Sequence, residues 1–337
     1  EGEPTPDGVA VTTVAEFYEL ATKGTVNSDT GPIFYLANDL DFSEYTWVYV
    51  NFAFTRTLNG NGKTIANLTI PNGGDRAGIF SRVKGATIYN LTIDNVHITS
   101  SGRAGILVGE LDADSMTAYN ITITNSSVSG NNSNGVGALV GYAKSSPNLN
   151  LSNIHISNTT ITNSARSVGT LIGVIDASTI TVTNVFADTL VVKTLHGDGR
   201  VGGLVGEIKN SATVNMSQAV LVNMVTEGAK QVSAIVGYQA TATTHISDIY
   251  YEGTIKCAAD AGQVSGYNDL TSVANVFMVD VILDGAASYT RQTVASECVI
   301  DSSFTTIDQA WWTTNLSAIA NDALWVYSDG LYTLDRS

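Results

Sequence analysis

Short apolar runs bounded by glycine recur along the chain at nearly constant spacing. Gly105-Ile-Leu-Val-Gly109 is followed by Gly137-Ala-Leu-Val-Gly141, Gly169-Thr-Leu-Ile-Gly173 and Gly202-Gly-Leu-Val-Gly206. Looser copies are Ala77-Gly-Ile-Phe-Ser81, Ser233-Ala-Ile-Val-Gly237 and Gly262-Gln-Val-Ser-Gly266. The closing positions 81, 109, 141, 173, 206, 237 and 266 lie 28 to 33 residues apart. Each unit holds three strand-like runs separated by Gly, Asn and Ser turns, for instance Ala86–Ile93, Val96–Thr99 and Gly105–Glu110. Three strands per unit, repeated, is the arithmetic of a coil that cannot bury its apolar face alone and must stack on its neighbours. The expected fold is all-β: a parallel β-helix (β-solenoid) of about seven three-stranded coils, with short helix-containing N- and C-terminal caps.

A polar column runs in step with the glycines. Asn90, Asn120, Asn153, Asn184, Gln218, Asp248 and Asn275 occupy the same place in successive units, and Asn95, Asn125, Asn158, Asn223 and Asp280 follow five residues on. Asparagine tolerates the left-handed backbone of a sharp corner, and stacked amides can bond up and down an axis. A structural Asn ladder is therefore expected at Asn90, Asn120, Asn153, Asn184 and Asn275. Gly109, Gly141, Gly173, Gly206, Gly237 and Gly266 are expected to serve another corner, with Leu and Val pointing inward.

Four segments follow from this register. Residues 1–10 form an extended acidic leader in which Pro4 and Pro6 oppose helix and central strand. Residues 11–73 make the N-terminal cap and first coils, opening on a capping box at Thr13-Val-Ala-Glu16 and a short helix. Asn59-Gly-Asn-Gly62 is expected as a tight turn. Residues 74–300 are the repeat array and 301–337 the C-terminal cap. Within that cap Ile307 to Ala320 has helical spacing, and a hairpin turns at Ser328-Asp-Gly330. Trp311, Trp312 and Trp325 are expected to plug the last coil.

Composition narrows the partners. With 16 Lys+Arg against 31 Asp+Glu the net charge is −15, and the charge is dispersed. Phosphate recognition needs a clustered cationic surface, so no nucleic acid is expected. No apolar run approaches the roughly 18 residues of a membrane span. The chain starts at Glu1 without Met, which is the expectation for an exported chain whose leader has been removed. Cys257 and Cys298 are the two cysteines. Their spacing allows either a disulfide between adjacent layers or two buried thiols.

Candidate chemistry is sparse. His196-Gly-Asp-Gly-Arg-Val-Gly202 matches GxGxxG, but a dinucleotide site needs a helix after it, and Gly202 belongs to the repeat. Asp112 with Asp114, Asp176 with Asp188, and Asp198 near Arg200 are the carboxylates considered for acid–base work, and they share no column. His97, His155, His196 and His245 lack metal-ligand spacing, and Asp112-Ala-Asp114 and Asn38-Asp-Leu-Asp41 serve as turns as readily as calcium ligands. Several N-x-[S/T] sequons, among them Asn90 and Asn120, fall in the asparagine columns, where a structural role explains them. No catalytic residue, metal or cofactor is assigned.

The repeats resemble the GLUG motif of bacterial cell-surface proteins, whose units pair a Gly-Gly-Leu-Val-Gly strand with an Ile-x-Asn run. Leu36-Ala-Asn-Asp-Leu-Asp-Phe-Ser43, Leu58-Asn-Gly-Asn-Gly-Lys-Thr-Ile65 and the ending Leu324-Trp-Val-Tyr-Ser-Asp-Gly-Leu-Tyr-Thr-Leu334 resemble the flanks of such arrays in secreted β-helix proteins. The resemblance covers roughly residues 12–334. It implies an extracellular location and adhesion, surface display or fibre formation, with no catalytic residues to carry over. The expected function is a non-enzymatic structural or adhesive solenoid that self-associates into a homopolymer, with a glycan or host surface as ligand. Glu1, Glu3, Pro4 and Pro6 are the expected subunit contact, by strand addition to a neighbour. A polysaccharide-binding or polysaccharide-degrading β-helix and a phage fibre are the alternatives.

Overall fold

A computed structural model describes residues 6–145, 148–259, 261–285, 298–301 (backbone only) and 307–335. Glu1, Glu3 and Pro4 of the expected subunit contact lie outside the described residues, and Pro6 opens them. The architecture is a parallel β-solenoid of about seven turns. Among the described residues it has one 15-stranded wide sheet and two 7-stranded sheets. The first short sheet, here the hinge sheet, contains strands such as Arg76–Ala77, Arg103–Gly105 and Arg200–Gly202. The second, the flank sheet, contains Phe80–Val83, Val108–Asp112, Val140–Lys144 and Val205–Lys209.

Register explains the sequence periodicity. Val108 pairs with Val140, Val140 with Ile172, Ile172 with Val205 and Val205 with Val236. The closing positions of the repeat therefore stack in one column. Inward positions stack apolar on apolar: Phe34, Leu58, Ile88, Ala118, Leu151, Val182 and Met216 follow one another coil by coil. Each is buried within one continuous core, and removal of this surface from water is what holds the coils together.

The wide sheet turns its corners without breaking. Leu149–Asn163 and Thr179–Thr194 are single strands of 15 and 16 residues. They bend where one residue adopts the left-handed conformation, as at Asn153 (φ 53°), Asn158 (φ 48°) and Asn184 (φ 56°). The run Gly105–Glu110, in contrast, is two strands, Arg103–Gly105 and Val108–Asp112, hinged at Ile106 and Leu107. Gly105 and Gly109 have ordinary φ values, and steric closeness is what demands glycine there. A Cβ on Gly109 would lie 2.7 Å from Ser81 O and 2.8 Å from Ala77 O.

Two further expectations are corrected. Asn59 to Gly62 is a bulge inside the strand Thr57–Ala66, because its partners on both sides belong to the next coil and not to a hairpin. The tryptophans do not plug the last coil. Helices α2 (Gln309–Asn315) and α3 (Ser317–Ala320) and the hairpin Trp325–Ser328/Leu331–Leu334 lie across the outer face of the wide sheet. The cause is an outward column that changes character along the axis. Thr64, Thr92, Thr122 and His155 give way in register to Phe186, Val220, Tyr250 and Phe277. The terminal unit covers this apolar half, with Trp312 fully buried and its ring 4.8 Å from Tyr250.

At the other end, helix α1 (Val14–Lys23) starts at the capping box. Glu16 N donates to Thr13 Oγ1 (3.2 Å) and Thr13 N donates to Glu16 Oε2 (3.2 Å). Its buried face sends Phe17 into an aromatic cluster with Phe42, Trp47 and Phe80. No helix among the described residues is long and apolar enough to cross a membrane.

Candidate binding face

The asparagine column is a bonded chain along the wide sheet. Asn120 Nδ2 donates to Asn90 Oδ1 (2.8 Å), Asn153 to Asn120 (2.9 Å) and Asn184 to Asn153 (3.1 Å). The run ends where Trp325 Nε1 donates to Asn184 Oδ1 (3.1 Å). Gln218, next in the column, turns to the terminal unit and donates to Ala318 O (2.9 Å) and Asp322 Oδ2 (3.2 Å). Asn275 instead donates to Asp248 Oδ1 (3.0 Å). Every member has φ between 51° and 56°, so the corner conformation persists where the amide chain does not.

The terminal unit stops short of the first coils, and its edge leaves a cleft of about 540 Å³ against the ladder. One wall carries Asn90, Asn120 and Asn153 with Thr92, Thr122 and Thr124, and the other carries Leu324, Leu334 and Asp335. His155 closes one end. It is buried, with its ring 4.9 Å from Phe186. The cleft therefore sits where the outward column changes from polar to apolar.

A second polar feature occupies the concave seam between hinge and flank sheets. Arg103 pairs with Glu110, and Arg76 Nε donates to the same Glu110 Oε2 (3.0 Å). Three coils on, Arg200 pairs with Glu207, which also accepts from Ser167 Oγ (2.7 Å). Both glutamates are buried, at 1% and 4% exposure, which a carboxylate tolerates only when paired. The arginines underlie tyrosines, Arg103 at 5.2 Å from the Tyr142 ring and Arg200 at 3.8 Å from the Tyr238 ring. Burial and the bond to Asp176 (2.5 Å) push the Tyr142 hydroxyl well above its usual range. Sequence reasoning missed these pairs, although Arg103-Ala-Gly-Ile-Leu-Val-Gly-Glu110 and Arg200-Val-Gly-Gly-Leu-Val-Gly-Glu207 repeat the same ends around the glycine motif.

The other candidates are dispersed. Asp112 pairs with Arg82, whose hydrogen bond holds that carboxyl below the usual range, while Asp114 accepts from Ser115 N (2.8 Å). Asp176 meets Tyr142 and Asn210 (2.6 Å), and Asp188 accepts from Asn223 (2.8 Å). Asp198 pairs with Lys230 rather than Arg200. His97 bonds Ser127 and Asn95, and His245 bonds Ser272. Asp39 and Asp41 accept from Thr64 N and Ser43 N. Among the described residues no three His, Cys, Asp or Glu side chains are grouped to hold a metal ion. Cys257 is buried, and backbone register sets Cys298 beside Val276, itself paired with Ile249. The Cys298 side chain, and with it the disulfide question, lies outside the described residues.

No family profile matches the chain. A stretch of 96 residues is 40% identical to Halomucin of Haloquadratum walsbyi, spanning 28% of this chain and 1% of that protein. Among solved structures, a Bacteroides ovatus protein provisionally assigned as an immunoglobulin A1 protease superposes with a TM-score of 0.57. It shares 13% identity over 97% of this chain and 92% of its own. At that identity the likeness shows the fold alone. The SRRP of L. reuters 100-23 overlaps 89% of this chain and 99% of its own at 14% identity. Its TM-score of 0.39 is too low to carry a fold argument.

Proposed function

We propose that the chain is a non-enzymatic, extracellular structural or adhesive β-solenoid, a building unit of a cell-surface filament, lattice or adhesin. The observation that carries this reading is the distribution of its chemistry. Amides and hydroxyls recur from coil to coil along the outside of a rod, and the ion pairs sit on separate coils instead of converging on one point. At ~4.8 Å per layer, seven turns make a rod of about 34 Å. The two buried glutamates sit three coils, roughly 14 Å, apart, beyond the ~5–9.5 Å that lets two carboxyls act on one glycosidic bond. The GLUG-like repeats support a surface location, as does the partial likeness to a protein whose name marks it as mucin-like.

Self-association through residues 1–10 belongs to the same proposal. Electron microscopy of the purified chain, intact and lacking residues 1–10, tests it. The intact chain is expected to form end-to-end or laterally stacked rods and the truncated chain single ones. Single rods from both contradict the polymer reading, and equal assembly of both contradicts the role given to residues 1–10.

A further inference from the structure

We infer that the cleft between the asparagine ladder and the terminal hairpin is a binding site for an uncharged, linear saccharide. The inference rests on the adhesive reading and is independent of polymer formation. At about 540 Å³ the cleft is in the size range of ligand pockets. Its polar groups are side-chain amides and hydroxyls, donors and acceptors of neutral character.

Each bond along the ladder uses one of the two N–H groups of an amide. Asn120 and Asn153 thus carry a second N–H in addition to the one engaged along the axis, and Asn90, Asn120 and Asn153 each carry a second lone pair on Oδ1. The array is pre-organised, since the ladder and the left-handed corner fix the amides before any ligand arrives. The spacing is that of the coils, so the natural complement is a ligand whose hydroxyls recur along a line. Leu324 and Leu334 supply an apolar wall for the C–H faces of sugar rings, and Leu324 is 39% exposed.

Charge excludes the main competitors. Among the described residues the lining holds no Lys or Arg, Asp335 stands at one edge, and the chain carries −15 overall. A phosphorylated, sulfated or uronic-acid polymer would meet repulsion from the chain's net negative charge. An extended peptide that binds by strand addition needs a free strand edge. Here the strands behind the cleft are already paired on both sides within the wide sheet.

The test uses the full chain and side-chain amide NMR. The probes are neutral hexaoses of glucose, mannose, xylose and N-acetylglucosamine, with polygalacturonate, heparan sulfate and an uncharged extended peptide as comparisons. At least one neutral hexaose is expected to shift the Asn90, Asn120 and Asn153 side-chain amide signals. Thr122→Trp, which fills the cleft from an outward position, is expected to weaken that binding at least tenfold, roughly the effect of one lost contact. Thr92→Trp is the second variant should the first fail to fold. No shift with any neutral hexaose overturns the inference. So does stronger binding of an acidic polymer or the peptide, or binding that survives the filled cleft. Surface display and assembly are read by microscopy, so the adhesive reading fails or stands separately.

Discussion

Replacing Asn120 separates the two tasks given to the ladder, holding a left-handed corner and bonding along the axis. Asn120 has φ 53° and makes two ladder bonds, to Asn90 (2.8 Å) and from Asn153 (2.9 Å). Each is worth about 0.5–1.5 kcal/mol net, toward the lower end at this exposed site, so together about 1–2 kcal/mol. Asn120→Ala loses both and adds the left-handed penalty of a Cβ, about 1–2 kcal/mol. Asn120→Gly loses the same bonds without that penalty, offset in part by about 0.5–1 kcal/mol of unfolded-state entropy. The expected order of stability is Asn, then Gly, then Ala, with alanine about 2–4 kcal/mol below the parent. At about 2.1 cal/mol/K per residue over 337 residues, the unfolding entropy is on the order of 0.7 kcal/mol/K, so Tm falls by about 3–6 °C. Urea titration and thermal melts followed by circular dichroism read the difference. Alanine matching glycine would refute the conformational argument, and glycine matching the parent would refute the ladder's contribution.

Three other outcomes are expected. Gly141→Ala puts a Cβ 2.6 Å from the Ala104 and Gly109 carbonyl oxygens, all backbone, whereas Gly197→Ala meets nothing within 4 Å. The first should cost about 1–3 kcal/mol or more and the second close to nothing, and equal melts would contradict the close-packed hinge. The Glu252 carboxyl is pushed above its usual range by burial first and by Asp280 and Asp188, against a hydrogen bond from Tyr250. A raised folded value means the stability from this group is present below its unfolded value and lost as pH rises through the folded one. Glu252→Gln should therefore raise Tm at pH 7, with the gain closing below about pH 4, and a gain that persists there would count against this. Arg200→Met leaves Glu207 buried without its ion-pair partner and should cost about 3–5 kcal/mol, much of it recovered when Glu207→Leu is added. Additive losses in the double variant would show that the pair does not act as a unit.

The solenoid was legible because its constraints act at fixed spacing. The glycine motif and the asparagine column both mark backbone positions whose geometry is repeated in every coil, so period alone reveals them. The break at Ile106–Leu107 was not legible, since a run of apolar residues looks the same whether straight or folded across a hinge. The position of the terminal tryptophans depended on Phe186, Val220, Tyr250 and Phe277 facing outward. That is a long-range matter of register and not of local pattern. The cleft is a consequence of the same docking, so its walls come from residues up to 273 positions apart, Gly62 to Asp335. The Arg–Glu pairs were visible as repeated ends of the glycine motif. Their burial was not, because nothing local distinguishes a paired interior glutamate from a solvated one.

The proposal that this rod works outside the cell is tested most directly by immunogold electron microscopy on intact source cells. The antibody is raised against the folded chain, and permeabilised cells are labelled in parallel. The account predicts gold on the outer surface of intact cells, at a density little changed by permeabilisation. Labelling that appears only after permeabilisation would contradict it.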